Sequence, residues 1–230
     1  MIRFDNVFKE FDGKQVLAGV SFTVSKGEIL AIVGPSGTGK SVTLKHIVGL
    51  LAPDSGSVSV EEGARIGYLF QGGALLAWLT VRENVALPLR ETTKLKEDEI
   101  ARLTDEALRD VGLEDAADLY PAEISGGMVK RAGLARAIVR HADAVLYDEP
   151  TSGLDPVTAQ TIHRLIKRLN AERGLTSLVV THDLAGACSF ADRILMLKDG
   201  RVALVAEPND FIKSDIPAVR EYVAASKGEL

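Results

Sequence analysis

The run Gly34-Pro35-Ser36-Gly37-Thr38-Gly39-Lys40-Ser41 carries the densest chemistry in this 230-residue chain. Glycines at this spacing let a backbone curl with its N–H groups turned inward, which makes a cradle for an anion. The run matches G-x-x-x-x-G-K-[ST] at every fixed position. An apolar stretch, Ile29–Val33, precedes it, and a helix-like segment from Ser41 to Val48 follows, so a helix N-terminus adds positive potential. In such a loop Lys40 reaches the β- and γ-phosphates of a nucleotide, and Ser41 ligates magnesium. A Gly-rich turn without a ligand is the bland alternative; the joint match of pattern and context argues against it.

A magnesium site also needs a carboxylate from a neighbouring strand. Ala144-Val145-Leu146-Tyr147-Asp148-Glu149 is an apolar strand that ends in two acids. Asp148, at the strand's carboxyl end, is placed for the metal. Glu149, one residue further, is placed to face the attacking water as general base. Two solvated acids at a strand end is the plain reading, and the phosphate loop weakens it. Ser125-Gly126-Gly127 opens a helix, which is a second N-terminus able to hold an anion. Ser152-Gly153-Leu154-Asp155 and Thr181-His182-Asp183 follow further on.

These residues need elements to hold them. Short runs rich in Val, Ile and Leu predict strands at Ile29–Val33, Ile66–Phe70, Ala144–Tyr147, Ser177–Thr181 and Arg193–Leu197. Continuous apolar strands separated by helical patterns indicate an α/β chain with a largely parallel sheet covered on both faces. Val16 to Val24 alternates instead, after a turn at Gly13-Lys14, and predicts an antiparallel layer. Between about Glu91 and Arg140 no strand stands out. Ile100, Leu103, Ala107, Leu108 and Val111 form one helical stripe behind the acidic Glu97-Asp98-Glu99. A second helix starts at Ser125, with Met128, Ala132, Ala135 and Val139 along it. The expected organisation is therefore a core over 1–90 and 141–230 with a helical insert over 91–140, all in a single domain.

The order of phosphate loop, Gln71, S-G-G, strand with D-E, S-G-L-D and a His after a strand resembles the nucleotide-binding subunit of an ABC transporter over essentially the whole chain. The resemblance implies a RecA-like P-loop core with an N-terminal antiparallel β layer and a helical subdomain carrying the signature. It implies ATP as ligand, with Mg2+ held by Ser41, Asp148 and Gln71. Phe11 looks like the aromatic that stacks on adenine, against a plain core Phe as the alternative. Gln71 looks like the loop glutamine that touches magnesium or water and reports to a membrane partner. Ser125, Gly126 and Gly127 look like the signature that caps the γ-phosphate bound to a second subunit. Asp155 looks like the cross-interface residue after it, and His182 like the histidine that contacts the γ-phosphate. Catalysis is expected from Glu149, His182 and Gln71. Two copies are expected to pack head to tail around two ATP molecules.

The usual signature reads L-S-G-G-Q, whereas here Ile124-Ser125-Gly126-Gly127-Met128 stands, so Met128 is given no ATP role. The S-G-G-M form is similar to the ATPases of Mla/Mce-type systems, which move phospholipids or other lipids between bacterial membranes. Leu69 to Leu75, Leu79 to Leu89 and the tail from Pro217 to Tyr222 share that likeness. This implies integral membrane permease subunits, an Mce-type lipid-binding protein beyond them, and a peripheral place on the cytoplasmic face of the bacterial inner membrane. Trp78, the sole Trp, either joins Leu75, Leu76 and Leu79 in an apolar patch that receives a permease helix or packs inside the helical insert.

Composition bounds the alternatives. Apolar residues make up 46% and charged residues 26% of the chain, an ordinary globular balance. The net charge of −5 disfavours nucleic acid as a partner. One cysteine, Cys188, permits no intrachain disulfide and fits a reducing compartment. No signal peptide is evident at Met1-Ile2-Arg3-Phe4-Asp5, and no apolar run approaches the roughly 18 to 20 residues of a membrane helix. An ABC ATPase for another cargo, such as an amino-acid or metal importer, remains the nearest rival. A soluble ABC ATPase working on DNA or the ribosome is more distant: no heptad run separates Ser41 from Ser125, and there is one cassette. A small-molecule kinase would use Lys40 and leave Ser125–Gly127, Asp155 and His182 idle.

Overall fold

A computed structural model describes residues 1–227. Its elements in chain order begin with β1 (Ile2–Phe11), β2 (Lys14–Val24), β3 (Ile29–Val33), α1 (Lys40–Ile47), β4 (Ser55–Val60) and β5 (Ile66–Leu69). Three helices follow, α2 (Val81–Thr92), α3 (Glu97–Asp110) and α4 (Gly126–Ile138), then β6 (Ala144–Asp148) and α5 (Pro156–Arg173). The rest is β7 (Thr176–Val180), α6 (Leu184–Phe190), β8 (Arg193–Lys198), β9 (Arg201–Ala206), α7 (Pro208–Ile212) and α8 (Pro217–Lys227). By compactness the chain divides into two units, Met1–Ala64 with the segment from Thr176, and Arg65–Leu175.

The first unit holds two sheets. β1 and β2 pair antiparallel across Asp12-Gly13, both at positive φ (49° and 78°), the backbone a tight hairpin turn demands. β4 adds to β1's other edge. Alternation decides the faces: Ile2 and Phe4 of β1 and Val20, Phe22 and Val24 of β2 are buried, and the Phe4 and Phe22 rings stack at 4.5 Å. In the other sheet β3 lies between β7 and β8, parallel to both, and β9 closes the edge antiparallel to β8. All five residues of β3 and of β7 are buried, as continuous apolar strands covered on both faces must be.

In the second unit β5 and β6 pair parallel, with Leu69 opposite Tyr147. Helix α4 lies close on β5 because Gly67 admits it; a Cβ there would stand 2.3 Å from the Ala137 carbonyl oxygen. The α2 N-terminus carries a capping box, with Thr80 Oγ1 accepting from Glu83 N–H and the Glu83 carboxylate accepting from Thr80 N–H. α2 packs against α3 and α4.

The α/β class, the mostly parallel pairing and the antiparallel N-terminal layer agree with the sequence reading, and the five predicted strands lie within a residue or so of their expected bounds. Three strands escaped it. β4 reads Ser-Gly-Ser-Val-Ser-Val and is largely exposed, so it has no apolar signal. β1 and β9 carry charged or half-exposed residues along their length. The helical region also begins earlier than Glu91, since α2 starts at Val81.

Candidate functional site

In the first unit the phosphate loop leaves the buried end of β3. Gly34 is at φ 142°, and a Cβ there would lie 2.1 Å from the Leu197 carbonyl oxygen, so no larger residue fits. Gly37 and Gly39 are also at positive φ, 79° and 96°. A Cβ on Gly39 would meet Leu17 Cδ2 at 2.7 Å, which brings β2 against the loop. Lys40 is buried, and its Nζ donates to the carbonyl oxygens of Gly34 (2.8 Å) and Pro35 (3.0 Å). Its charge therefore already sits inside the loop. No side chain caps α1, which begins at Lys40 directly after the loop, so the helix dipole adds positive potential at the loop's end. By contrast α2, α4, α5 and α6 are capped by Thr80, Ser125, Asp155 and Asp183.

Two further residues expected at the site lie in this unit. The Thr181 N–H donates to the Ile32 carbonyl at 3.1 Å, so the end of β7 runs beside the end of β3, and His182 leaves there, exposed. Asp183 caps α6 through Gly186 N–H at 2.7 Å, which fixes the chain on one side of His182. Phe11 ends β1 in the hairpin whose second strand touches Gly39. It is 39% exposed, which excludes the plain core role, and Lys9 Nζ lies 5.4 Å from its ring centroid.

In the second unit the parallel register sets the acids. Leu69 lies opposite Tyr147, so Gln71 and Glu149 emerge from the same end of the β5–β6 pair, two residues beyond. Asp148 is buried and accepts from the Tyr68 hydroxyl at 3.2 Å. Burial, together with the neighbouring Asp148 charge, pushes the Tyr68 hydroxyl well above its ordinary pKa, so Tyr68 stays a donor at any physiological pH. Glu149 adopts φ 51°, a left-handed conformation that costs a non-glycine residue about 1–2 kcal/mol and is typical of functional positions. Gln71 is exposed.

Helix α4 begins at the S-G-G. Ser125 Oγ accepts from Met128 N–H at 3.3 Å, and no acidic residue stands in the first turn. Gly127 is required by packing: its Cβ would lie 2.5 Å from Thr158 Cγ2. Asp155 caps α5, accepting from Val157 and Thr158 N–H (3.0 Å each) and from the Thr158 hydroxyl at 2.5 Å. Those bonds, the hydroxyl's above all, hold its carboxyl below the usual range. Trp78 is 72% exposed, which removes the core-packing alternative.

Sequence reasoning missed three residues here. Tyr68 orients Asp148. Lys130 is buried on α4 and donates to the Gln71 carbonyl, to the Glu149 carbonyl (3.2 Å) and to Ser152 Oγ (3.4 Å). Burial lowers its pKa, partly offset by the Glu149 and Asp148 charges. Arg136 donates to the carbonyls of Ala74 (2.7 Å) and Gly73 (2.9 Å). A Lys or Arg on a helix reads as a solvated face, and only the packed loop reveals otherwise.

A glycine-bound loop between a buried parallel strand and an uncapped helix, with Lys40 inside it, defines a P-loop nucleotide-binding protein. The family described as ABC transporter matches residues 17–152. The chloroplastic protein TRIGALACTOSYLDIACYLGLYCEROL 3 of Arabidopsis thaliana is 36% identical over 98% of this chain and 74% of its own length. The intermembrane phospholipid transport system ATP-binding protein MlaF of Haemophilus influenzae is 39% identical over 96% and 88%. The methionine import ATP-binding protein MetN of Mesorhizobium japonicum is 38% identical over 98% and 67%. Among solved structures, a dimeric ATP-binding cassette in a post-hydrolysis state bound to ADP and Pi superposes with a TM-score of 0.82 at 34% identity, covering 90% of this chain and 99% of that one. The chain belongs to the ABC transporter family, and it is an ATP-binding transport ATPase.

Proposed function

We propose that this ATPase energises lipid or phospholipid transport through a separate membrane permease, in a system of the Mla/Mce type. The observation that carries the reading is the likeness to the phospholipid transport protein MlaF along nearly the whole of both chains, together with the Ser125-Gly126-Gly127-Met128 form of the signature. An Mce-type lipid-binding protein is the proposed further partner, and the cytoplasmic face of the bacterial inner membrane the proposed location. Among the described residues no helix is long and apolar enough to cross a membrane, and separate permease subunits are the proposed membrane-spanning part. Trp78, with Phe70 also exposed and Leu75, Leu76 and Leu79 beside it in sequence, is the proposed permease contact.

For hydrolysis, Gly34, Pro35, Ser36, Gly37, Thr38, Gly39, Lys40 and Ser41 wrap the phosphates, and Phe11 stacks on the adenine. Lys40 exchanges its carbonyl partners for the β- and γ-phosphate oxygens. The buried Asp148 carboxylate, oriented by the Tyr68 hydroxyl, is the kind of donor magnesium takes, its shell completed by water and phosphate. Ser41, Asp148 and Gln71 are the proposed holders, and when bound the ion neutralises phosphate charge. Glu149 takes a proton from the attacking water. The water oxygen bonds to the γ-phosphorus as the bond to the β-phosphate oxygen breaks, and ADP and phosphate leave. His182 stabilises the γ-phosphoryl oxygens. Ser125, Gly126, Gly127 and Asp155 are proposed to act across a head-to-tail homodimer, on the ATP of the partner, so that ATP holds the closed state.

The likeness to the methionine import protein keeps an importer of small solutes as a second reading. Purifying the native complex from its membrane and identifying its subunits and bound cargo separates the two. An Mce-domain protein with phospholipid supports lipid transport; a soluble solute-binding protein with no lipid overturns it.

A further inference from the structure

One helix holds both the glutamine loop and the catalytic acid by their backbones. Gln71 and Glu149 each follow a strand of the parallel β5–β6 pair at equal distance from the facing residues Leu69 and Tyr147. Lys130 of α4 reaches across them, donating to the carbonyl of each and to Ser152 Oγ. An ammonium has three donors and no acceptor, so these three oxygens occupy it fully. The same helix face continues the grip. Gly133 lets the loop approach, since a Cβ there would lie 3.0 Å from the Gly73 carbonyl oxygen. Arg136 binds the next two loop carbonyls, of Gly73 and Ala74. Val129 Cγ1 would lie 2.8 Å from a Cβ on Gly73.

We propose that Lys130 is a positioning residue for ATP hydrolysis, clamping the main chain at Gln71 and Glu149 so that the helix beginning at the S-G-G sets the placement of both. Burying an ammonium is costly, and Lys130 offsets that cost by serving three oxygens at once. Removing it leaves those oxygens without their donor, so the spacing of the two carbonyls depends on it. When an anion draws on the α4 N-terminus, the displacement reaches Gln71 and Glu149 together through one rigid helix. The clamp rests on the reading of Glu149 as base and Gln71 as a site residue.

The test compares the full-length wild type with Lys130→Met and Lys130→Arg, and with Glu149→Gln in parallel. Lys130→Met is expected to lower the thermal midpoint by only a few degrees and to keep the KM for ATP within about twofold, while lowering kcat about 10- to 100-fold, the scale of a displaced catalytic group. Amide hydrogen exchange at Gly72–Ala74 is expected to quicken. Lys130→Arg, which keeps the donors, is expected to recover part of kcat and of the protection. Wild-type kcat in Lys130→Met, unchanged exchange at Gly72–Ala74, or parallel loss of kcat, KM and thermal midpoint each overturns the proposal. Wild-type turnover in Glu149→Gln overturns the base assignment alone, because the exchange measurement reports the clamp without reference to it.

Discussion

Gly34→Ala tests whether the shape of the phosphate loop is set by one close backbone approach. Gly34 and Gly37 are both at positive φ, 142° and 79°. Around Gly37 a Cβ meets nothing within 4 Å, whereas at Gly34 it would stand 2.1 Å from the Leu197 carbonyl oxygen. The Gly37→Ala substitution therefore incurs only the left-handed penalty, about 1–2 kcal/mol. Gly34→Ala incurs backbone strain of about 1–3 kcal/mol and an overpacking term of about 1–3 kcal/mol. The obstruction is backbone of β8, which cannot rotate away, so the middle of that sum, about 4 kcal/mol, is the expected loss. At roughly 2–4 °C per kcal/mol for a chain of this size, Gly34→Ala lowers the melting temperature by about 8–16 °C and Gly37→Ala by about 2–8 °C. Scanning calorimetry measures both, and calorimetric titration measures ATP binding, which should be lost in Gly34→Ala. Equal melting shifts in the two variants, with ATP binding intact in Gly34→Ala, would refute the idea that Leu197 shapes the loop.

Glu149→Gln should bind ATP but hydrolyse it about 100- to 10,000-fold more slowly and accumulate as a nucleotide-bound dimer in size-exclusion chromatography; turnover at the wild-type rate removes Glu149 as base. Phe11→Ala should raise the KM for ATP about 2- to 10-fold, the worth of an aromatic contact of about 0.5–1.5 kcal/mol, with kcat and melting temperature unchanged because the ring is exposed. Asp155 supports the start of α5 as a carboxylate with a lowered pKa. Its contribution is present above the unfolded carboxylate pKa and disappears as pH falls through the depressed folded value. Thr158→Ala should move the Asp155 titration midpoint upward in carboxyl NMR; an unmoved midpoint denies the hydroxyl its part.

The phosphate loop was legible from residues 34–41 alone because its function resides in backbone shape. Glycine spacing and a following helix dictate that shape locally. The β3, β6 and β7 strands were equally legible, since strands buried on both faces must be apolar throughout. β4 was hidden because an exposed edge strand made of Ser and Gly carries no such pattern. Met128 shows the limit of the signature itself: its residue type departs from the common form, while its backbone N–H still completes the Ser125 cap.

What the one-dimensional order determined is the inventory: a nucleotide cradle at Gly34–Ser41, two acids at a strand end, an S-G-G at a helix start, and an α/β chain to carry them. Tertiary structure alone decided the partners. It set Tyr68 on Asp148, left Trp78 and Phe11 open, turned Asp155 into a helix cap, and buried Lys130 against two backbone carbonyls far from it in sequence. The reason is physical. Periodicity and glycine placement express local backbone preference, whereas the fate of a polar side chain depends on which distant oxygen or carboxylate the packed strands and helices bring within about 3 Å of it.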